Sequence, residues 1–188
     1  NYDMLARYDG TQWYPVAEFM NLQASTKIYS LEIYDGNLYA AGAFKDTPSG
    51  FNGIAMYDGT NWSAMNSGLG DSGGSSSPSG IGLTVFNDTL FVGGDFSQTS
   101  PVTNENFAAW DGNNWIDVPS VQTPLIYDIY ATDTCIVVTG SIINVPGTSM
   151  AQRIARYQNG TWLPMGSIGS LGAPYSFAEL NNELYICG

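Results

Sequence analysis

Histidine is absent, and 188 residues carry only five lysines and arginines against seventeen carboxylates, a formal net charge of −12 at pH 7. Without imidazole the chain lacks the commonest general base and metal ligand. Five scattered cations build no basic patch for a phosphate backbone, so nucleic acid is not an expected partner. No apolar run reaches the 18 or so residues of a membrane helix, and direct membrane insertion is not expected. Cysteine is reduced to Cys135 and Cys187, each in an apolar stretch, TCIVVTG and ELYICG. Aligned on the glycine that ends each stretch, they differ in depth by roughly 13 Å of strand rise, beyond the separation of about 7 Å that a disulfide tolerates. They read as small buried hydrophobes. No GxSxG, P-loop or EF-hand pattern occurs, and DSGGSSSPSG is a compositional Ser/Gly stretch, a flexible crossover and not a phosphate cradle.

What is present repeats. YDGTQW at 8–13 returns as YDGTNW at 57–62, WDGNNW at 110–115 and YQNGTW at 157–162, and the closing residues Trp13, Trp62, Trp115 and Trp162 are 49, 53 and 47 apart. A second motif runs out of phase with the first: YDGNLYAAGAF, FNDTLFVGGDF, TDTCIVVTGSI and LNNELYICG. Its glycines, Gly42, Gly94, Gly140 and Gly188, are 52, 46 and 48 apart. Two markers sharing a period of about 48 residues define a repeat array.

Each unit resolves into four strands. An apolar run such as YSLEIY or IGLTVF leads through a turn pair (DG, ND, DT, NN) into a strand ending at the glycine, which is a hairpin. After a loop of about ten residues come a third strand, as in GIAMY or RIARY, the Asp-Gly of the first motif, and a fourth strand starting at the tryptophan. Asp-Gly turns this second hairpin, and all four tryptophans are expected in equivalent, largely buried positions. The fourth copy has its turn glycine one place later, at Gly160, which predicts a different turn there. Turns account for Asp9, Asp35, Asp58, Asp88, Asp111 and Asp133. These stand about half a unit apart, too far to converge on one ion, so no metal site and no cofactor is expected.

A hydrophobic strand ending in Gly-Gly, or in Gly with Phe two places on, followed some 20 residues later by an aromatic and Trp, resembles the kelch repeat. LARYDG and IAMYDG, each followed by Trp, are more similar to the kelch-like repeats of secreted bacterial surface proteins and fungal cortical cell-polarity markers. The five-residue interval from Tyr to Trp is shorter than the usual kelch spacing. The resemblance covers residues 1–188 as one domain and implies an all-β fold, a β-propeller of four-stranded antiparallel blades with three complete blades plus two half blades. Such rings usually have six or seven blades and Gly188 falls inside a strand, so the chain reads as part of a longer polypeptide. Pairing of the halves into a four-bladed ring is the alternative.

Alternating strand direction puts the short turns at one end of the units, and the second-to-third loops and the crossovers at the other. Binding residues gather on long loops held by a rigid scaffold, which makes Asp46, Phe51, Glu105, Asn106, Phe107 and Arg153 the ligand-binding candidates. Glu32, Asp128 and Glu179 lie on first strands and are the carboxylates a glycan hydrolase would use. Richness in Gly, Asn, Ser, Thr, Tyr and Trp with little Lys points to the cell exterior; the sequons at Asn61, Asn87 and Asn159 are no more than chance supplies among 15 Asn. The function expected is a non-catalytic extracellular or cell-surface module that binds or displays a protein or glycan partner. The alternatives are a glycan-active hydrolase completed by other blades and a purely structural array.

Overall fold

The computed structural model describes residues 5–16, 26–46, 49–70, 78–97, 99, 102, 104–119, 121, 123–141, 145, 152–166, 168, 172 and 174–188. Among these residues the fold is all-β, with sixteen antiparallel strands and no helix. A leading hairpin pairs β1 (Ala6–Tyr8) with β2 (Trp13–Pro15). Three four-stranded meanders follow. The first is β3 (Lys27–Tyr34), β4 (Asn37–Asp46), β5 (Phe51–Tyr57) and β6 (Trp62–Ser63). The second is β7 (Ser79–Phe86), β8 (Thr89–Asp95), β9 (Phe107–Trp110) and β10 (Trp115–Ile116). The third is β11 (Ile126–Ala131), β12 (Ile136–Gly140), β13 (Ile154–Gln158) and β14 (Thr161–Pro164). A trailing hairpin pairs β15 (Ser176–Leu180) with β16 (Glu183–Cys187). The pairing of Ala43 with Ser79 joins the first two meanders into one eight-stranded sheet.

The units pack face to face in chain order, with β3 beside β7, β7 beside β11 and β11 beside β15. The apolar core therefore lies between units. Tyr39, Ala41 and Ile54 of the first unit meet Leu83, Leu90 and Trp115 of the second. Phe91 and Phe107 of the second meet Ile129, Tyr157 and Trp162 of the third. Val137 and Ile154 of the third meet Phe177 and Leu184 of the trailing hairpin.

The repeated glycine follows from a repeated irregularity. The first strand of each complete unit carries a β-bulge at the same place, at Tyr29, Ile81 and Tyr127, which interrupts its register with the second strand. The bulge drives a carbonyl against that strand. A Cβ at Gly42, Gly94 or Gly140 would lie 2.0 Å from Lys27 O, 2.0 Å from Ser79 O or 2.2 Å from Leu125 O. Only glycine fits.

The turns divide into two kinds. Asp35-Gly36, Asn87-Asp88, Asn159-Gly160 and Asn181-Asn182 are two-residue turns with both residues at positive φ, the geometry that matches strand twist. The Asp-Gly of the first motif does not turn in two residues. Tyr8 pairs with Trp13, Tyr57 with Trp62 and Trp110 with Trp115, so each loop holds four residues. In these loops the Asp Oδ1 accepts the N–H groups two and three residues on: Thr11 and Gln12 on Asp9, Thr60 and Asn61 on Asp58, Asn113 and Asn114 on Asp111. The aspartate is thus a side-chain cap. Thr132 plays the same part through Oγ1 in the 132–135 turn, toward Thr134 and Cys135. In the fourth copy, with Asn159 and Gly160 carrying the turn, no such cap is needed.

Burial corrects the expectation for the tryptophans. Trp115 and Trp162 are 3% and 2% exposed, Trp62 is half-buried, and Trp13 is 70% exposed. Each buried indole belongs to one unit and is covered by the preceding one. Trp115 Nε1 donates to Met65 O at 3.1 Å, and Trp162 Nε1 to Pro119 O at 2.7 Å. Trp13 sits on the leading hairpin, where no earlier unit exists among the described residues to cover it.

Candidate functional site

At the end opposite the short turns, polar side chains bind the connections to one another. Asn104 is buried; its Nδ2 donates to Ile116 O at 2.7 Å and its Oδ1 accepts the Val118 N–H at 3.3 Å. Asn106, at φ +59°, accepts the Phe96 N–H at 2.8 Å and donates to Thr123 O at 2.6 Å. Thr123 Oγ1 donates to Ser141 O at 2.6 Å. The loop into β9, the crossover after β10 and the start of the connection after β12 are thereby tied together. In the first unit the same kind of tie joins Asn52 Nδ2 to Ser67 O and the Leu69 N–H to Asn52 O, both at 2.8 Å. Connections have few backbone partners of their own, so side-chain amides satisfy the carbonyls and amides and fix the loops.

The six candidate residues have unlike fates. Glu105 and Arg153 are exposed at this end, just before β9 and β13. Asp46, half-buried, ends β4 and accepts the Ser49 hydroxyl. Asn106 is committed to the loop ties. Phe51 and Phe107 are not surface loop residues. Phe51 opens β5, pairs with Asp46 and is 8% exposed among Ala40, Phe44 and Ala55. Phe107 opens β9, is fully buried, and has its ring centroid 5.4 Å from that of Phe91 and 4.8 Å from that of Trp162. The stretch around Phe51 has the composition of a long loop, but β4 and β5 extend to Asp46 and Phe51 and shorten it. Lys27 and Lys45 likewise lie in strands. Residues 142–144 and 146–151 of the loop before β13, and 71–77 of the Ser/Gly stretch, lie outside the described residues.

The three first-strand carboxylates occupy three different levels of the repeat. Asp128 directly follows the bulge, Glu32 stands two residues further along its strand, and Glu179 occupies the position of Ile33, one residue beyond that and on the opposite strand face. Asp128 is engaged structurally: Oδ1 accepts the Ile129 N–H at 2.9 Å and Oδ2 the Phe177 N–H of β15 at 3.0 Å. Ser30, at the equivalent position of the first unit, accepts the Leu83 N–H of the second at 3.1 Å. In the second unit this position is Gly82, where a Cβ would lie 2.6 Å from Ile129 Cγ2; Thr84 instead accepts the Ala131 N–H at 3.2 Å. A side chain on each first strand thus binds the backbone of the next unit's first strand. Sequence reasoning missed these ties and those of Asn104 and Thr123, because donor and acceptor stand 12 to 53 residues apart. Lining up the units on the repeated glycine would have shown Ser30, Asp128 and Ser176 in one column. Among the described residues no group of three or more His, Cys, Asp or Glu is placed to hold a metal ion.

Burial pushes the Asp128 carboxyl above its ordinary range, against the pull of the Ile129 and Phe177 N–H groups. The caps shift the other way. Asp58 is lowered by the N–H groups of Asn61 and Thr60, and Asp111 by those of Asn114 and Asn113. Asp128 holds its proton to higher pH in the fold than in the unfolded chain, so its protonation favours folding, an effect that fades as pH rises from about 3.9 through the folded value. The caps stabilise above the unfolded value and lose this as pH falls through their lower folded ones. In thermal melts the wild type should gain on Asp128→Asn as pH falls from about 7 toward about 4, and lose ground to Asp58→Ala at still lower pH. A difference from Asp128→Asn that stays constant with pH would contradict the burial of this carboxyl.

No model of a known protein family matches the chain, and a search of curated proteins finds none similar to it.

Proposed function

We propose that the chain is a section of a kelch-like β-propeller serving as a non-catalytic binding module of an extracellular or cell-surface protein, and that a protein or glycan partner docks on the end where the long connections gather. The observation that carries this reading is the lacing of that end by Asn104, Asn106 and Thr123. A binding surface made of loops is specific only when the loops are held, and held loops cost less entropy to dock. The opposite end is built from short turns, and in the four-residue ones the aspartate is spent on capping. Glu105 and Arg153 give the laced end charges of both signs on successive units, which suits polar hydroxyls or a mixed protein surface.

The test is a screen of the chain against an immobilised glycan panel and a cell-surface protein fraction, followed by paired variants on whatever binds. Glu105→Ala with Arg153→Ala should weaken binding by about tenfold or more, and Asp35→Asn with Asp111→Asn should leave it unchanged. Loss confined to the second pair, with both proteins folded, would place the site at the wrong end.

A further inference from the structure

We propose that the residues at the bulges of successive first strands form a row that binds a neutral glycan, with a sugar ring stacked on tyrosine; this rests on the reading that the laced end is the binding end, and it names the class of ligand. The row is Tyr29, Ile81, Tyr127 and Tyr175, one residue from each unit. Tyr175 stands directly before Ser176 as Tyr127 stands before Asp128, and its N–H donates to Cys187 O at 2.8 Å. The bulges fall near the start of β3, β7 and β11, at the end away from the short turns. Successive first strands lie side by side, and the rings of Tyr127 and Tyr175 meet across one such boundary, with centroids 5.2 Å apart and planes tilted by 54°. A bulged residue has no partner across the ladder, so its side chain is released from cross-strand packing and can be re-aimed.

The row is at the surface by its place in the repeat. Ile81 and Tyr127 each have a described unit on both sides and are still part-exposed, the first between buried Gly80 and Gly82 and the second beside fully buried Ile126. Tyr29 and Tyr175 are 48% and 59% exposed. Core packing does not call for a phenol here, since Ile81 fills the same place in the second unit. The tyrosine is also held. Tyr127 Oη lies 3.2 Å from Ser141 Oγ, and Ser141 is fixed at both backbone groups, its N–H donating to Leu125 O at 3.0 Å and its carbonyl accepting from Thr123 Oγ1 at 2.6 Å. The lacing of the connections therefore reaches the ring, and a ring already held loses little entropy on docking. The ligand follows from the groups present. Tyrosine offers a flat apolar face with a polar tip, and the hydroxyls of Tyr127 and Ser141 can each donate or accept, which matches the apolar face and hydroxyl rim of a pyranose. No Lys or Arg stands in the row or next to it in the chain, and a net charge of −12 works against an anionic ligand. The neighbouring carboxylate, Asp128, is taken up by the Ile129 and Phe177 N–H groups. A protein partner would need about 800 Å² of surface on each side, far more than one residue per unit provides.

Affinity electrophoresis of the chain in gels containing a soluble β-glucan, mannan, xylan or galactan, with alginate as the acidic control, tests this. At least one neutral polysaccharide should retard the wild type. Tyr127→Ile with Tyr175→Ile, which imports the residue of the second unit at both places, should weaken that retardation by about tenfold or more in dissociation constant and leave the melt unchanged. Tyr175→Phe keeps the ring and should bind within about twofold of wild type, whereas Tyr175→Ile alone should not, a contrast that holds at equal fold stability. Retardation by alginate alone, or by none of the five, overturns the proposal. So does a neutral glycan whose binding survives the double isoleucine variant. Should Glu105→Ala with Arg153→Ala weaken binding where the tyrosine variants do not, the laced end remains the binding end and the tyrosine row is not its sugar platform. Loss confined to Asp35→Asn with Asp111→Asn would overturn both.

Discussion

Gly94→Ala is expected to destabilise the chain by about 3 kcal/mol, the upper end of what over-packing costs, although it adds a single methyl group. The new Cβ would sit 2.0 Å from Ser79 O, 3.0 Å from Ser79 C and 3.1 Å from Gly80 Cα, all backbone atoms of the first strand. A side chain in the way could rotate; a bulged backbone held in a ladder cannot yield without breaking its pairing to β8. Gly42→Ala and Gly140→Ala meet the same obstacle and should behave alike. Gly172 has no atom within 4 Å of its would-be Cβ and no positive φ, so Gly172→Ala should stay within about 0.5 kcal/mol of wild type. Denaturant titrations of the four variants decide the matter. A Gly94→Ala protein as stable as wild type would mean that the bulge is not part of the folded register.

The same glycine shows what could be read in advance. Its period, the alternating strands and the Asn, Asp and Gly turns are local properties, set by side-chain alternation and by residues that tolerate positive φ. Four strands per unit could therefore be inferred from the residues themselves. The reason for the glycine could not, since the bulge that demands it lies on the neighbouring strand about 13 residues earlier and leaves no mark of its own. The site candidates failed or survived for a related reason. Phe51 and Phe107 follow polar runs and look like loop tips, yet a third strand begins wherever the second strand offers it a partner, and both fall on the paired side of that boundary. Glu105 and Arg153 fall just before it and stay in solvent. The sequence pattern places Asp128 on a first strand, and there it stands. Its use as an acceptor for Phe177 N–H depends on the packing of one unit upon the next, which no single unit encodes.

Trp162→Ala should be the costliest of the core truncations, at about 3 to 5 kcal/mol. The indole is 2% exposed, its ring lies edge-on to Phe107 at 4.8 Å and 5.3 Å from Tyr157, and its N–H is bound to Pro119 O. Removal leaves a cavity in the layer between the second and third units and an unpaired carbonyl on the crossover that links them, and the two losses add. Trp13 occupies the same place in the repeat and pairs with Tyr8 as Trp162 pairs with Tyr157, but it is 70% exposed. In the isolated chain Trp13→Ala should therefore change stability by less than about 0.5 kcal/mol. The contrast isolates the contribution of the neighbouring unit, because the Tyr–Trp cross-strand pair is the same in both although the turns differ. Unfolding followed by circular dichroism at low protein concentration would measure it. Equal losses in the two variants would show that the tryptophan acts within its own hairpin, and that the packing of unit on unit is not what holds this fold together.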